Sequence, residues 1–294
     1  MIRSDNRNLA RITRTFPMLQ QLLLNYLRHF LIDHGKTRLA KLVTLPTGTQ
    51  HYTNSHGITL PLDLTEYRQR QIYLFDLYEK STLLQLAKLI SPDMVALDVG
   101  ANIRFYTLSL ANLCKKGTVH AFEPNPAVFS QLEKHVALNR AANVILNPFG
   151  LAERQRKETL FFGDSNTGTG NIFEKKEHAV EIELQRLDDY VRRRSVPRLD
   201  VVKVDVEGCE QAFWAGAQET IASFHKLILV MEFNDDVATS TRQNIHALFS
   251  DIVKQGFRAY LPRAFPFKLT PIDRVPTGFM ANIHCCPTGL VSWE

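Results

Sequence analysis

The stretch VALDVGANIRFYT, residues Val95–Thr107, decides how the rest of the chain is interpreted. Its first five residues, Val95–Val99, are apolar except for Asp98 and predict a buried strand, whereas Phe105–Leu113 has the pattern of a helix. Between the two, Gly100 lets the backbone turn tightly and approach a ligand without a Cβ in the way. The stretch therefore predicts a strand, a glycine turn and a helix whose first N–H groups suit a carboxylate.

Strand-like and helix-like segments alternate along the rest of the chain. The predicted strands are Val95–Val99, Thr118–Phe122, Val144–Leu146, Val201–Val204 and Leu227–Phe233. The predicted helices are Leu64–Ile90, Phe105–Leu113, Ala127–Asn139, Cys209–Ala217 and Ser240–Gln255. This order predicts an α/β fold with a mostly parallel central sheet flanked by helices on both faces. We expect one such domain over residues 64–294, preceded by a helical, basic extension and connecting loop over residues 1–63.

The composition is that of an ordinary globular protein, with 45% hydrophobic residues, 22% charged residues and a formal net charge of +5. None of the four cysteines forms a CxxC motif, so we expect no structural zinc and a reducing, cytoplasmic location. Much of the positive charge lies in residues 1–45, which favours a nearby acidic surface or ligand. No nucleic-acid-binding motif accompanies it, and we expect no nucleic-acid partner.

The most apolar stretch, Met18–Ile32, has leucines and aromatic residues at helical spacing and predicts an amphipathic helix. It is too short and too often interrupted by polar residues to span a bilayer or to serve as a signal peptide. Two interpretations stay open. The helix packs on the body of the protein, or it makes a peripheral contact with an anionic membrane.

Polar residues follow the first two strands of the α/β pattern directly. In open parallel sheets, ligands bind beyond the carboxyl ends of the strands. Asp98 and Asn102 flank the first strand's end, and Glu123 follows the second strand, where a carboxylate can accept hydrogen bonds from both hydroxyls of a ribose. The glycine pattern G-x-G-x-x-G is absent after Gly100, which disfavours a dinucleotide. The pattern predicts a nucleoside ligand.

Five motifs occur in the order found in one enzyme family: DVGANI (Asp98–Ile103), AFEPNP (Ala121–Pro126), LDDY (Leu187–Tyr190), DVVKVDVEGCE (Asp200–Glu210) and ILVMEF (Ile228–Phe233). The chain resembles FkbM-family methyltransferases over roughly residues 60–285, and the KVDVEGCE block is the most specific part. The resemblance implies a Rossmann-like methyltransferase fold and S-adenosylmethionine as methyl donor. It also implies transfer to a hydroxyl oxygen of a sugar, a glycan or a secondary metabolite.

The resemblance further implies which positions bind the cofactor, ordered from its methionine end to its adenine: Asp98, Gly100, Asn102, Glu123, Gly150 and Leu151. The first three would line the methionine part, the fourth would hold the ribose, and the last two would flank the adenine. Glu79, in the family-like segment upstream of the first strand, is a further candidate.

Methyl transfer to an alcohol requires alignment of donor and acceptor and removal of the hydroxyl proton. Period-two alternation puts Lys203 and Asp205 on one side of the fourth strand. Asp205 is the first candidate for the base or acceptor-orienting residue, because a nearby ammonium keeps a carboxylate ionised. Glu207 is the second candidate, and for Glu210 a structural role in the first turn of a helix is equally open. No histidine or asparagine at ligand spacing accompanies these acids, so we expect no metal site.

Arg104 directly follows the DVGANI motif, at a position where the family pattern has a glycine. Its guanidinium either pairs with the cofactor carboxylate, which leaves binding intact, or fills the pocket. The second outcome predicts a non-catalytic, methyltransferase-like binding protein. The Gly-rich stretch Gly163–Asn171 predicts a loop, and two interpretations stay open: a mobile loop that closes over the acceptor, or an ordinary surface loop.

Overall fold

A computed structural model describes residues 17–30, 36–102, 105–163, 166–241, 243–263, 268–275 and 278–288. The chain divides into two compact units, one comprising Met1–Leu84 with Arg263–Lys268 and the other Gln85–Pro262 with Leu269–Glu294. The boundary between the two units therefore falls later than residue 63. The reason is that the helix after residue 63 packs on the strand Thr59–Asp63 and on the helix Pro17–His29. The domain boundary between residues 63 and 64 stays a prediction.

Among its described residues, the first unit contains two strands and three helices, followed along the chain by a fourth helix. They are α1 (Pro17–His29), α2 (Lys36–Ala40), β1 (Thr49–Thr53), β2 (Thr59–Asp63), α3 (Tyr67–Phe75) and α4 (Lys80–Leu89). β1 and β2 form an antiparallel hairpin. The predicted helix Leu64–Ile90 is thus interrupted, because Asp76 and Glu79 adopt left-handed backbone conformations with φ of 71° and 47°. Over the described ranges, no helix has the length and apolar character needed to cross a bilayer.

The second unit is built on an eight-stranded sheet with the order β13-β12-β14-β11-β10-β3-β4-β5. The strands are β3 (Val95–Val99), β4 (Thr118–Phe122), β5 (Val144–Asn147), β10 (Val201–Val204), β11 (Ile228–Asn234), β12 (Phe257–Arg263), β13 (Lys268–Ile272) and β14 (Met280–Pro287). The five strands from β5 to β11 run parallel, and β14 is antiparallel to both of its neighbours. The predicted α/β class with a mostly parallel sheet is confirmed.

The helices between these strands are α5 (Phe105–Leu113), α6 (Pro126–Leu138), α7 (Leu187–Arg194), α8 (Glu210–Ala215), α9 (Gln218–Ser223), α10 (Asp235–Thr241) and α11 (Ile245–Lys254). The prediction of one helix over Ser240–Gln255 is wrong in its first part. Asn244 caps α11 by accepting the N–H of Ala247 at 2.9 Å, so that helix begins only at Ile245.

A second sheet of four strands follows β5 and has the order β6-β9-β7-β8. Its strands are β6 (Gly150–Leu151), β7 (Arg156–Gly163), β8 (Asn166–Asn171) and β9 (His178–Gln185). The loop predicted for Gly163–Asn171 is therefore wrong over the described residues from Asn166 onward. β8 pairs with β7, Asn166 opposite Gly163 and Asn171 opposite Phe161. This backbone pairing defines a strand that the polar side chains of the segment do not predict.

The two faces of the central sheet have different character. One face carries an apolar core that includes Leu97, Val202 and Leu229. On the other face Asp98 pairs in register with Lys203, Lys203 with Val230, and Val230 with His284. A row of ionisable groups thus lies within the fold, at the middle of the sheet.

Candidate active site

The strand order reverses between β3 and β10, because β4 continues on one side of β3 and the later strands lie on the other. Ligands bind at such switch points, beyond the carboxyl ends of the strands. A cavity lies there, with an empty volume of about 780 Å³ that is partly open to solvent. Seven of the predicted site residues line it: Gly100, Asn102, Glu123, Gly150, Leu151, Asp205 and Glu207.

Gly100 forms the turn after β3 with a φ of 83°, a conformation that favours glycine. A Cβ built on it would lie 1.9 Å from the carbonyl oxygen of Asp205. The N–H groups of Gly100 and Ala101 both donate to the carbonyl of Phe122 at 3.0 Å. The glycine is therefore required by the neighbouring backbone, in addition to the ligand approach expected from the sequence.

Glu123 is held in one orientation at the end of β4. Its Oε2 accepts the backbone N–H of Asn102 at 3.0 Å, and its Oε1 accepts the N–H of Asn125 at 2.9 Å. The residue is only 6% exposed, so these charge-assisted hydrogen bonds offset much of the cost of burying the carboxylate. The geometry fixes a carboxylate at the cavity wall, where the sequence predicts a ribose-binding group.

The wall beside Gly150 and Leu151 comes from the second sheet, which the sequence analysis missed. Leu160 of β7 and Ile182 and Leu184 of β9 contribute apolar side chains to it. Such a surface suits a flat, largely apolar ring such as an adenine. The period-two pattern of Val180, Ile182 and Leu184 in β9 is the sequence signal that predicts this strand. Two polar residues of the same sheet, also missed, reach the cavity: Arg156 and Asn171.

Asp98 lies behind the cavity wall rather than on it. It is 2% exposed, and the hydroxyl of Thr107 donates to its Oδ2 at 2.5 Å. Burial raises the pKa of Asp98 to about 6, although the Thr107 hydrogen bond and the positive charge of Lys203 act in the opposite direction. Direct contact of Asp98 with the cofactor stays a prediction.

Lys203 and Asp205 are brought together at the end of β10. The Lys203 side chain is 1% exposed, and its Nζ lies 3.6 Å from the Oδ2 of Asp205 and 4.9 Å from the centre of the Tyr106 ring. Asp205 is 22% exposed through its side chain and lines the cavity. The lysine thus acts from behind the wall on a carboxylate that faces the ligand space.

The two glutamates of the KVDVEGCE block have different positions. Glu207 lines the cavity and has a φ of 50°. Glu210 is buried, and its Oε1 accepts the N–H groups of Val206 and Gly208 at 3.3 Å each, which supports the structural interpretation of this residue. Burial raises the pKa of Glu210 to about 7. Within the described part of the chain, no three acidic, histidine or cysteine side chains cluster so as to hold a metal ion.

Glu79, Arg104 and His284 do not belong to the described lining of the cavity. Glu79 belongs to the first unit, and its role at the cofactor stays a prediction. Arg104 lies outside the described residues. His284 is fully buried, neither of its ring nitrogens has a hydrogen-bond partner among the described residues, and burial together with Lys203 lowers its pKa to about 3.

Comparison with known proteins identifies the family. The sequence profile of the methyltransferase FkbM domain matches residues 98–258. The chain is 26% identical over 255 residues to the AMB antimetabolite synthetase AmbE of Pseudomonas aeruginosa, covering 73% of this chain but only 11% of that protein. It is 24% identical over 192 residues to the 2-O-methyltransferase NoeI of Sinorhizobium fredii, covering 58% of this chain and 76% of NoeI.

A solved structure of methyltransferase FkbM from Methylobacillus flagellatus KT is 16% identical, with a TM-score of 0.44, and covers 94% of this chain and 60% of that one. The profile match extends over more than half of the chain and confirms the predicted family. The chain belongs to the FkbM methyltransferase family.

Proposed function

We propose that this chain transfers the methyl group of S-adenosylmethionine to a hydroxyl oxygen of a sugar, a glycan or a secondary metabolite. The observation that carries the proposal is the position of Asp205, which borders the cavity with the buried ammonium of Lys203 3.6 Å behind it. The name of NoeI, a 2-O-methyltransferase, supports oxygen as the accepting atom.

The cavity suits the cofactor by the chemistry of its walls. Glu123 is fixed by two backbone N–H groups and presents a carboxylate that a ribose can donate to. Gly150 lets Leu184 pack closely against the main chain at this wall, since a Cβ on Gly150 would lie 2.7 Å from the Leu184 Cδ2. The apolar side chains of β7 and β9 would enclose the adenine. Asn102, whose N–H orients Glu123, links this end of the site to the turn after β3.

S-adenosylmethionine, when bound, supplies an electrophilic methyl carbon. The protein then has two tasks: it aligns the acceptor hydroxyl with the methyl group, and it accepts the proton of that hydroxyl. Alignment contributes about 7–11 kcal/mol in well-oriented systems. We assign proton acceptance, or orientation of the acceptor hydroxyl, to the Asp205 carboxylate. Lys203 is not among the residues that line the cavity, and it acts as a positioning residue through its 3.6 Å ion pair with Asp205. Glu207 is the alternative base, because it also lines the cavity.

The test is methyl transfer from labelled S-adenosylmethionine to a panel of hydroxylated metabolites and glycan extracts. With any acceptor so identified, Asp205→Asn should lower kcat by about 10²–10⁴-fold, the usual contribution of a general base, and leave cofactor affinity within about twofold. Asp189→Asn is the matched control, because this aspartate is 42% exposed and pairs with Arg192 on α7. An equal loss of turnover and cofactor binding in Asp205→Asn would show that Asp205 holds the cofactor instead.

A further inference from the structure

Helix α1 of the first unit has two sides of different environment. Leu24 and Leu27 are buried and pack with Val43 and Leu74. On the other side Met18, Leu19 and Leu22 are 78%, 44% and 56% exposed, and Phe30 beyond the helix is 45% exposed. Leu22 lies four residues after Met18 and three after Leu19, and is therefore their neighbour on the helix surface. Together with Phe30 we call these three residues the outer strip.

The inner side of α1 is fixed by polar as well as apolar contacts. The Arg28 guanidinium donates to the carbonyl of Tyr73 at 2.9 Å and lies 4.6 Å and 5.0 Å from the ring centres of Tyr52 and Tyr73. Gln20 donates to the carbonyl of Thr44 at 2.8 Å. These contacts prevent the helix from rotating to bury the outer strip without losing its present partners.

The sequence around the outer strip is strongly basic. Residues 1–45 contain Arg3, Arg7, Arg11, Arg14, Arg28, Lys36, Arg38 and Lys41 against Asp5 and Asp33. Some of this charge is used within the unit, since the Lys36 ammonium donates to the carbonyl of Phe30. Arg38 and Lys41 of the same unit are exposed. An apolar strip within a segment of the sequence that carries excess positive charge is complementary to a surface that is both apolar and anionic.

We propose that the outer strip docks this protein on an anionic lipid surface, with the leucines inserted at the boundary between headgroups and acyl chains. Met18, Leu19 and Leu22 are aliphatic, and these three positions lack the tryptophan, tyrosine and arginine side chains that dominate protein–protein contacts. Neither the apolar side chains nor the basic charge alone gives strong membrane affinity, but the two act together. The inference does not depend on the methyl-transfer reaction.

Vesicle sedimentation tests this with the full-length protein and two lipid compositions. We expect binding to vesicles of equimolar phosphatidylserine and phosphatidylcholine, weaker binding to pure phosphatidylcholine, and loss of binding as salt screens the charges. The double variant Leu19→Ser/Leu22→Ser should lower the partition coefficient at least tenfold, which is about 1.4 kcal/mol. Both positions are exposed, so the fold of the variant should be retained.

The matched control is Leu138→Ser/Val253→Ser, which removes two side chains that are 46% and 44% exposed on helices of the second unit. It should bind vesicles as the unmodified protein does. Equal vesicle binding by Leu19→Ser/Leu22→Ser and the unmodified protein would overturn the proposal. So would the absence of binding to anionic vesicles, including a case in which the outer strip instead mediates self-association detected by light scattering.

Discussion

Gly100 and Asp205 are in direct backbone apposition, since a Cβ on Gly100 would lie 1.9 Å from the Asp205 carbonyl oxygen. This contact joins the turn after β3 to the end of β10, at the point in the sheet where the strand order reverses. The turn that we propose to bind the cofactor and the proposed base are therefore held at a fixed separation by main chain on both sides. Alignment of donor and acceptor depends on such rigidity.

Gly100→Ala should therefore damage both the fold and the site. We expect the free energy of unfolding to fall by about 3 kcal/mol or more, because a left-handed backbone conformation and an overpacked contact are imposed together. Cofactor affinity should fall as well. Gly256→Ala is the control, because Gly256 has a φ of 92° but nothing within 4 Å of a built Cβ, so only about 1–2 kcal/mol should be lost. Equal losses in urea unfolding of the two variants would contradict the close contact.

Lys203→Met tests whether burial or distance decides how much an ion pair contributes to the free energy of unfolding. Lys157 and Glu181 are closer, at 2.7 Å, but both side chains are 66% exposed, whereas the Lys203–Asp205 pair is buried on the lysine side. Lys203→Met leaves the buried carboxylate of Asp98 without the nearby positive charge, and an uncompensated buried charge costs about 3–5 kcal/mol. We expect a loss of that order for Lys203→Met and little change for Lys157→Met, measured by thermal or urea unfolding.

The same Lys203→Met variant should affect Asp98. Since the positive charge of Lys203 lowers the pKa of that carboxyl, its removal should raise the pKa above the present value of about 6. Carboxyl-carbon NMR of labelled aspartate would follow the titration. A pKa of Asp98 that stays unchanged or falls would show that the two groups do not interact.

Glu210 should make stability depend on pH. Its pKa is raised from 4.5 to about 7 in the folded protein, so its stabilising contribution is complete below about pH 4.5 and is lost as the pH rises through 7. At about 1.4 kcal/mol per pKa unit, the effect reaches up to about 3 kcal/mol. Glu210→Gln keeps an acceptor for Val206 and Gly208 but does not titrate. The variant should thus gain stability relative to the unmodified protein between pH 5 and 8, measured by urea unfolding, and parallel pH curves would refute this.

The parallel part of the fold could be predicted because its strands are short, apolar and separated by helices. Val95–Val99 and Val201–Val204 have the predicted bounds, and Glu123 lies where its position after a strand indicates. The second sheet was missed because its strands carry many charged and small residues, so that backbone pairing, and not side-chain burial, defines β8. Its apolar wall at the cavity was missed with it.

The roles of Asp98 and Lys203 also depend on information that spacing does not contain. The sequence places Asp98 next to the glycine turn, which suggests contact with a ligand. Alternation along β3 in fact turns its side chain onto the face that Lys203 occupies, where Thr107 of α5 donates to it. Only the register between β3 and β10 shows that the two charges are neighbours.

Titration calorimetry with S-adenosylmethionine, comparing the unmodified protein with Glu123→Gln, tests the central claim most directly. We expect the unmodified protein to bind, and Glu123→Gln to bind about 10- to 100-fold more weakly, because hydrogen bonds to a charged group contribute about 1.5–3 kcal/mol. Glu181→Gln, at a 66% exposed side chain, should bind normally. Equal affinity in Glu123→Gln, or no binding by the unmodified protein with recovery in Arg104→Gly, would contradict a functional cofactor site in this cavity.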